Sequence, residues 1–240
     1  MTDGGYSRPD LLVETDWLEA HLEDHNVRII DCDQYEHFVR AHIKNAVGIP
    51  EHHYLKGPNY LEDRFNNPHV AGPDHIAALM SGMGIDKDTV VVAYDHSGGL
   101  YAARVWWVLN HYGHTEVKVL NGGWAKWFDE KRAVSIDSTD IVTKTFVPEN
   151  NPDNVCTLDY ALNQVGNSDT IFLDVRSDGE WEGSDTTRGN TRAGRIPGAV
   201  HLEWLNFIKQ DRYRTIKPAS ELHELLEKNG VTSDKQIITY

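Results

Sequence analysis

The sequence has no apolar run that approaches the roughly 20 residues of a membrane-spanning helix. Its first ten residues, Met1 to Asp10, are polar and lack the apolar core of a secretory signal. It contains only 2 cysteines, too few for a disulfide scaffold. These absences argue against a membrane protein and against a disulfide-rich secreted domain. We predict a cytoplasmic protein with no membrane partner.

Basic residues are also scarce. Lysine and arginine number 23 against 37 aspartates and glutamates, and the formal net charge is −14. A surface of this charge repels phosphate backbones, so we predict no nucleic-acid partner. The hydrophobic and charged fractions, 40% and 25%, are those of an ordinary globular protein. An anionic substrate would need a local cluster of arginines to bind against the field of the whole protein.

The two cysteines lie in surroundings that favour structural roles. Cys32 directly follows the apolar run Val27–Asp31, and Cys156 lies in the segment 154–158. Thiols in such segments are usually small buried residues. We predict that both are buried and that neither is a nucleophile.

The most informative feature is an internal repeat of helices and strands. The first half predicts helices over 16–24, 74–80 and 98–112 and strands over 27–31, 89–94 and 117–120. The second half predicts helices over 157–165 and 219–229 and strands over 170–176 and 236–240. A carboxylate closes the first strand of each half, Asp31 in one and Asp174 in the other.

Local signals mark several helix ends. Asp16 and Glu19 have the spacing of a capping box. Pro73 suits a first helical turn, and Gly230 suits the position just after a helix.

We interpret the repeat as two tandem α/β domains, each a mostly parallel sheet covered by helices on both faces. The first is predicted over residues 1–134 and the second over 154–240, with a linker over 135–153 that is rich in Asp, Asn, Pro and Thr. A central parallel strand is normally followed by a crossover connection, and none follows 236–240. We therefore expect the second domain to be incomplete, with residues missing beyond Tyr240.

Four motifs in order resemble the signatures of the rhodanese family. Two segments are similar to the first signature, a strand ending in Asp followed by Gly-His-Ile-Pro-Gly-Ala: Asp31 with Ala41-His42-Ile43 and Ala46, and Asp174 with Gly194-Arg195-Ile196-Pro197-Gly198-Ala199. Residues 120–127 resemble the second signature, which closes a rhodanese domain. Residues 94–99 resemble the loop of an inactive N-terminal domain, with Asp95 in the place of cysteine. The resemblance covers nearly the whole chain and is to the two-domain thiosulfate and 3-mercaptopyruvate sulfurtransferases.

The resemblance implies a reaction and a nucleophile. In this family a cysteine of the C-terminal domain takes a sulfane sulfur from thiosulfate or 3-mercaptopyruvate as a persulfide and passes it to a thiol or cyanide. That cysteine follows the strand aligned with 236–240, so it is expected directly after Tyr240, and the chain as given is expected to be inactive. The implied partners are a small anionic sulfur donor, a thiol or cyanide acceptor and a thioredoxin-like reductant.

The chemistry explains why such a site needs a loop at a helix N-terminus. A sulfur acceptor must be a thiolate. Unpaired N–H groups and the positive end of the helix dipole lower the pKa of a thiol, and the same groups can hold a persulfide anion. Asp95 is already an anion and cannot attack as a sulfur nucleophile, so it marks a degenerate site.

Anionic donors require a guanidinium near the cysteine. Arg176 is the first candidate, because an Arg at this place in the family binds substrate; the alternative is a salt bridge to Asp174 or Glu180. Three arginines of the following loop could bind a substrate carboxylate or be solvated charges: Arg188, Arg192 and Arg195. Arg195 stands where the family usually has a structural His. Trp204 is a further candidate, either as a wall of the active-site cleft or as a core residue.

Cofactors and metals are not expected. Persulfide chemistry in such a cradle needs neither a metal nor a separate base. The 13 histidines invite a metal hypothesis. The nearest pairs, His52 with His53 and His111 with His114, have no cysteine or carboxylate set that completes a site.

Two other functions remain open. One is a cysteine-dependent phosphatase of the same fold class, whose longer loop cradles phosphate and ends in Arg. The other is a non-catalytic rhodanese-like module for interaction or regulation. A cysteine after Tyr240 would favour sulfur transfer, and a residue that cannot carry sulfur would favour the module.

Overall fold

The chain divides into two compact units. The computed structural model describes residues 5–49, 55–57, 69–186 and 192–240. The first unit contains residues 1–152 together with 211–215, and the second contains 153–210 and 216–240. Each unit has its own parallel sheet.

A five-stranded parallel sheet forms the centre of the first unit. Its strands are β1 (Leu12–Val13), β2 (Val27–Asp31), β4 (Ala46–Gly48), β5 (Val90–Tyr94) and β6 (Val117–Leu120), in the order β1-β6-β5-β2-β4. An antiparallel ladder joins β3 (His42–Ile43) to β7 (Val134–Ser135). The central strands are nearly continuous apolar runs, as parallel strands buried on both faces usually are. Their register places Asp31 beside Tyr94.

Helices cover both faces of this sheet. They are α1 (Thr15–Ala20), α2 (Tyr35–Phe38), α3 (Pro73–Gly82), α4 (Leu100–His111) and α5 (Gly123–Asp129). Successive residues of the central strands enter two different cores: Ile30 and Val91 join Met80 and Val105 in one, and Ile29 and Val92 join Leu18 and Trp127 in the other. This alternation is that of a pleated strand with two buried faces.

The second unit repeats the arrangement with fewer strands. Its parallel sheet consists of β8 (Thr170–Asp174), β9 (Val200–His201) and β10 (Gln236–Thr239), with β8 in the centre. Its helices are α6 (Leu158–Gln164), α7 (Asp178–Glu182) and α8 (Ala219–Lys228). A small core gathers Leu173, Leu202 and Val231. The predicted fold class, two tandem α/β domains on mostly parallel sheets, is confirmed.

The lengths of the helices bear on whether any of them could span a membrane. Within the described part of the chain, no helix combines the length and the apolar character needed to cross a membrane.

Some helix ends differ from the prediction because side chains have other partners. Helix α1 begins at Thr15, and the predicted capping box of Asp16 and Glu19 does not form. Both carboxylates pair instead with Arg132. A capping box does form at the start of α7, where Ser177 and Glu180 exchange hydrogen bonds.

The segment predicted as a linker lies on the first unit. Phe146 is buried in one of its two cores. Lys144 Nζ donates to Thr89 Oγ1 at 2.9 Å, and Glu149 N donates to Tyr112 O at 3.0 Å. These contacts assign residues 135–152 to the first unit, so the polar composition of this segment does not make it a free connector.

Candidate functional site

The loop after β5 forms a cradle of backbone N–H groups around the Asp95 carboxylate. Asp95 Oδ1 accepts hydrogen bonds from Ser97 N at 2.8 Å and Gly99 N at 2.9 Å. Its Oδ2 accepts from Tyr101 N at 2.8 Å and Ala102 N at 2.9 Å, at the start of α4. The side chain is buried, so these four donors replace its water shell. The four N–H groups form an anion-binding site, and the anion that occupies it is the protein's own Asp95 carboxylate.

Glycines allow the loop to close around this carboxylate. Gly98 and Gly99 have φ values of 76° and 91°, in the left-handed region that other residues avoid. Gly123 packs against the loop from the start of α5, and an added Cβ there would collide with the carbonyl oxygen of Asp95. The same carbonyl accepts a hydrogen bond from Trp124 N at 3.0 Å. The Gly-Gly-Trp motif therefore packs against the backbone of the cradle and fixes the carbonyl group of Asp95.

A buried tyrosine ties the cradle strand to its neighbour. Tyr94 Oη donates to Asp31 Oδ2 at 2.5 Å and accepts from Ile43 N at 3.1 Å. Burial raises the pKa of the Asp31 carboxyl to about 6, although the hydrogen bond from Tyr94 offsets part of the rise. Cys32 N also donates to Tyr94 O at 2.9 Å.

The second unit contains the same arrangement around Tyr240. Ile196 N donates to Tyr240 Oη at 3.1 Å, as Ile43 N does to Tyr94. The Tyr240 hydroxyl also lies close to Asp174, the counterpart of Asp31, and burial together with the nearby carboxylate raises the pKa of Tyr240. Val175 N donates to Tyr240 O at 3.1 Å, as Cys32 N does to Tyr94. Tyr240 is thus the counterpart of Tyr94.

Arg176 lies beside Tyr240 in a bidentate ion pair. Its Nε donates to Asp174 Oδ1 at 2.9 Å, and its Nη2 donates to Asp174 Oδ2 at 2.6 Å. Nη2 also donates to Gly194 O at 3.0 Å, and the guanidinium carbon lies 5.2 Å from the Tyr240 ring centre. This pairing holds the pKa of Asp174 below its usual value even though burial opposes it. The salt bridge considered as the alternative for Arg176 exists, yet no described residue accepts a hydrogen bond from Nη1.

Arg195 occupies the structural place of a histidine. Its guanidinium carbon lies 4.2 Å from the Trp181 ring centre, and Nη1 donates to Trp181 O at 3.1 Å. In the first unit His42 stacks on Phe38 with ring centres 4.1 Å apart, and its Nδ1 contacts Phe38 O at 2.8 Å. The contacts are equivalent, which favours a structural role for Arg195 over substrate binding.

For the other residues that were predicted to bind substrate, fewer contacts are described. Arg192 is exposed. Arg188 lies outside the described residues. Trp204 is half-buried, and its N donates to Val175 O at 3.0 Å, which sets it beside the end of β8 next to Arg176.

The two cysteines differ. Cys32 is buried as predicted, and burial raises the pKa of its thiol well above the usual value, so it stays protonated. The predicted burial of Cys156 is wrong, because the side chain of this cysteine is exposed. It lies just before the short helix α6, in a segment 152–160 whose residues are all exposed, so no core covers it.

A pocket of about 290 Å³ opens beside the Asp95 loop in the first unit. Its lining includes Asp33, His37, Arg40 and His96. His96 Nδ1 lies 2.5 Å from Asp33 Oδ1, and the His37 and His96 rings are 5.0 Å apart in an edge-to-face arrangement. Burial raises the pKa of the Asp33 carboxyl, and His96 offsets part of the rise.

Sequence reasoning missed this group of residues. It considered histidines that are near each other in the chain, whereas Asp33 and His37 follow β2 and His96 follows β5. The parallel pairing of β2 with β5 brings the two strand ends together. The expectation that β2 and β5 are neighbouring parallel strands could have predicted that these residues lie close together. Of the pairs considered, His111 and His114 are buried and belong to no three-ligand group within the described ranges, and His52 and His53 lie outside them.

A family profile matches both units. The profile described as rhodanese-like domain matches residues 14–130 and 157–240. The first segment falls in the first unit, and most of the second segment falls in the second.

Several curated proteins are similar over almost the whole chain. The sulfur carrier protein TtuD of Thermus thermophilus is 32% identical, over 98% of this chain and 84% of its own length. The putative thiosulfate sulfurtransferase SseA of Mycobacterium tuberculosis is 31% identical, over 96% of this chain and 78% of its own. The mitochondrial thiosulfate/3-mercaptopyruvate sulfurtransferase 1 of Arabidopsis thaliana is 29% identical, over 99% and 70%.

A solved structure shares the fold. The 3-mercaptopyruvate sulfurtransferase SseA of Escherichia coli superposes with a TM-score of 0.82 over 95% of this chain and 87% of its own, at 24% identity.

Proposed function

Because the chain belongs to the rhodanese-like domain family, we propose that it transfers a sulfane sulfur from an anionic donor, thiosulfate or 3-mercaptopyruvate, to a thiol or cyanide. Relatives that are named as sulfurtransferases support an activity of this class. The sulfur is carried as a persulfide on a cysteine that directly follows Tyr240.

The match between Tyr94 and Tyr240 carries the proposal. Each tyrosine hydroxyl accepts a hydrogen bond from the backbone N of an isoleucine, Ile43 or Ile196, at 3.1 Å. The residue after Tyr94 is Asp95, whose carboxylate accepts four backbone N–H hydrogen bonds. A cradle of the same form in the second unit would stabilise a thiolate and then a persulfide at the position after Tyr240.

The proposed reaction is a double displacement at sulfur. The cysteine thiolate attacks the outer sulfur of thiosulfate; a new S–S bond forms, the old one breaks, and sulfite leaves with the bonding electron pair. With 3-mercaptopyruvate a C–S bond breaks instead, and the enolate that leaves takes up a proton to give pyruvate. A thiolate or cyanide then attacks the outer persulfide sulfur and releases the cysteine thiolate.

Arg176 binds the donor in this proposal. Asp174 fixes the guanidinium by two hydrogen bonds, and Nη1 is left for an anion. The arginine lies against Tyr240, one residue before the proposed nucleophile. A fixed guanidinium suits sulfonate and carboxylate oxygens because its donors form a planar fork.

The first unit does not take part as a second sulfur carrier. Asp95 fills the cradle that a persulfide would need, and a carboxylate cannot accept a sulfane sulfur. Cys32, the cysteine of that unit, is buried and protonated.

The test uses the protein that the complete gene encodes, with cyanide as acceptor and each donor in turn. We expect thiocyanate formation that disappears when the cysteine after Tyr240 is replaced by serine. Arg176→Lys should raise the KM for the donor by about tenfold or more, since a charge-assisted hydrogen bond contributes about 1.5–3 kcal/mol. Arg212→Lys, at an exposed arginine with no proposed role in donor binding, is the matched control and should leave KM unchanged. A residue other than cysteine after Tyr240, or full activity of the serine variant, would show the proposal to be wrong.

A further inference from the structure

The two units carry opposite charges at the same place in the fold. Asp33 stands two residues after Asp31, and its N donates to Asp31 Oδ1 at 2.9 Å. Arg176 stands two residues after Asp174, and its N donates to Asp174 Oδ1 at 3.0 Å. The backbone is therefore equivalent, but the guanidinium of the second unit is replaced by a carboxylate in the first. The first unit therefore has a negative side chain, Asp33, at the position where the second unit has a positive one, Arg176.

Three donor side chains converge in the first pocket. Asp33, His37 and His96 each offer one ligand atom, and these atoms all lie within 4.8 Å of one another. A tetrahedral ion with ligands at about 2.0–2.2 Å needs donor atoms about 3.3 Å apart. His37 is exposed and can close the remaining distance by rotating its ring.

The three side chains have few hydrogen-bond partners outside their own group. Asp33 is 4% exposed, and its Oδ1 accepts from His96, whereas no described residue donates to its Oδ2. The His37 ring contacts the His96 ring but forms no hydrogen bond to any residue in the described ranges. A buried carboxylate with an unpaired oxygen is costly, and an ion would satisfy it.

The surroundings also favour a cation. Asp31 and Asp95, both buried, lie close to Asp33. A positive ion would offset the repulsion among these carboxyl groups. Arg40 is the opposing charge in the lining, and it is exposed at the mouth rather than buried with the carboxylates.

We propose that Asp33, His37 and His96 bind a divalent transition-metal ion in the first unit. Two imidazoles with one carboxylate suit zinc, iron or cobalt and disfavour magnesium and calcium, which prefer oxygen ligands. Three protein ligands leave at least one coordination position open toward the 290 Å³ pocket, where Arg40 favours an anionic ligand on the metal. The proposal is independent of sulfur transfer, which is assigned to the second unit.

The test is a titration of the full chain with Zn²⁺, and with Co²⁺ as a spectroscopic probe. We expect one tight Zn²⁺ per chain and a visible Co²⁺ band typical of a four- or five-coordinate site. His37→Gln should weaken Zn²⁺ binding by at least about tenfold, since even loss of an outer-shell partner usually costs 10–100-fold. Its matched control is His25→Gln, another exposed histidine of the same unit, which should bind as the wild type does.

Further variants separate the site from chance binding. His96→Gln and Asp33→Asn should also abolish the Co²⁺ band, and thermal unfolding without metal checks that each variant is folded. His37 has no hydrogen-bonded role among the described residues, so its variant should fold normally. Equal Zn²⁺ affinity in His37→Gln and His25→Gln, or displacement of Zn²⁺ by a modest excess of Mg²⁺, would overturn the proposal.

Discussion

At the scale of single residues, the Asp95 side chain decides what the first unit can do. Its carboxylate fills a cradle of four backbone N–H groups. Gly98 and Gly99 shape this loop, and the anion that it holds is a side chain of the protein. The chemistry available in this cradle therefore depends on the side chain at position 95 rather than on the fold around it.

The cradle predicts that a neutral side chain at position 95 strongly lowers the free energy of unfolding. Asp95→Asn keeps one oxygen but turns an NH₂ group toward two of the four donors. We expect the free energy of unfolding to fall by about 3 kcal/mol, since two charge-assisted hydrogen bonds are lost. Urea unfolding followed by tryptophan fluorescence measures this, with the exposed Asp24→Asn as the control. Equal stability of the two variants would mean that the cradle does not hold the carboxylate.

Residue types in the sequence predicted part of the candidate sites. Asp95 and Arg176 were singled out because each lies at or just beyond the end of an apolar strand in a repeated pattern and matches a position in the rhodanese motifs. The exposure of Cys156 was not, because short apolar segments look alike whether or not a core covers them. Asp33, His37 and His96 were not either, because their proximity depends on which strands are neighbours.

At the scale of elements, the segments that follow β2 and β8 make the same stacking contact with different residues. A ring in α2, Phe38, supports His42, and a ring in α7, Trp181, supports Arg195. In both units the polar side chain also contacts the carbonyl of the residue it stacks on. The stacked pair fixes the short segment that leads to the next strand.

The equivalence predicts that histidine can replace arginine at position 195. Arg195→Ala should lower the free energy of unfolding by about 1–2 kcal/mol, because a cation–π contact and a hydrogen bond are lost. Arg195→His should recover much of this loss. Chemical unfolding measures both, with Arg192→Ala as the matched control. A role in donor binding would appear instead as a higher KM in Arg195→His with unchanged stability.

Strands were easier to predict than helix ends. Strands β2 and β6 have the predicted bounds because their apolar residues are contiguous and buried. Helix α1 ends earlier than predicted, at Ala20, and Arg132 takes the carboxylates that suggested its cap. Helix α5 is absent from the sequence prediction because it begins at Gly123, directly after Gly122, and two consecutive glycines are typical of a turn.

At the scale of the whole molecule, two units share a frame and differ in charge. The net charge of −14 makes the average field around the protein repel anions, so an anion must be bound by local positive groups. Asp33 and Arg176 show that equivalent positions have taken opposite signs. The same backbone position thus carries a carboxylate in one unit and a guanidinium in the other.

The placement of the cysteines predicts the behaviour of the polypeptide Met1–Tyr240. Cys32 is buried, and Cys156 is exposed in an uncovered segment. We expect this polypeptide to form no thiocyanate from thiosulfate and cyanide. The measurement should include Cys32→Ser and Cys156→Ser variants. Catalysis that survives both substitutions would contradict the assignment of the sulfur carrier to the position after Tyr240.

The carboxylate in the first cradle is tethered to the chain that surrounds it. A tethered ligand has an effective concentration that no freely diffusing competitor matches when its geometry fits. Sulfite, phosphate or a sulfur donor would have to displace Asp95 and bury a second negative charge beside it. The Asp95 cradle is therefore closed to the small anions that would enter an unoccupied cradle of backbone N–H groups.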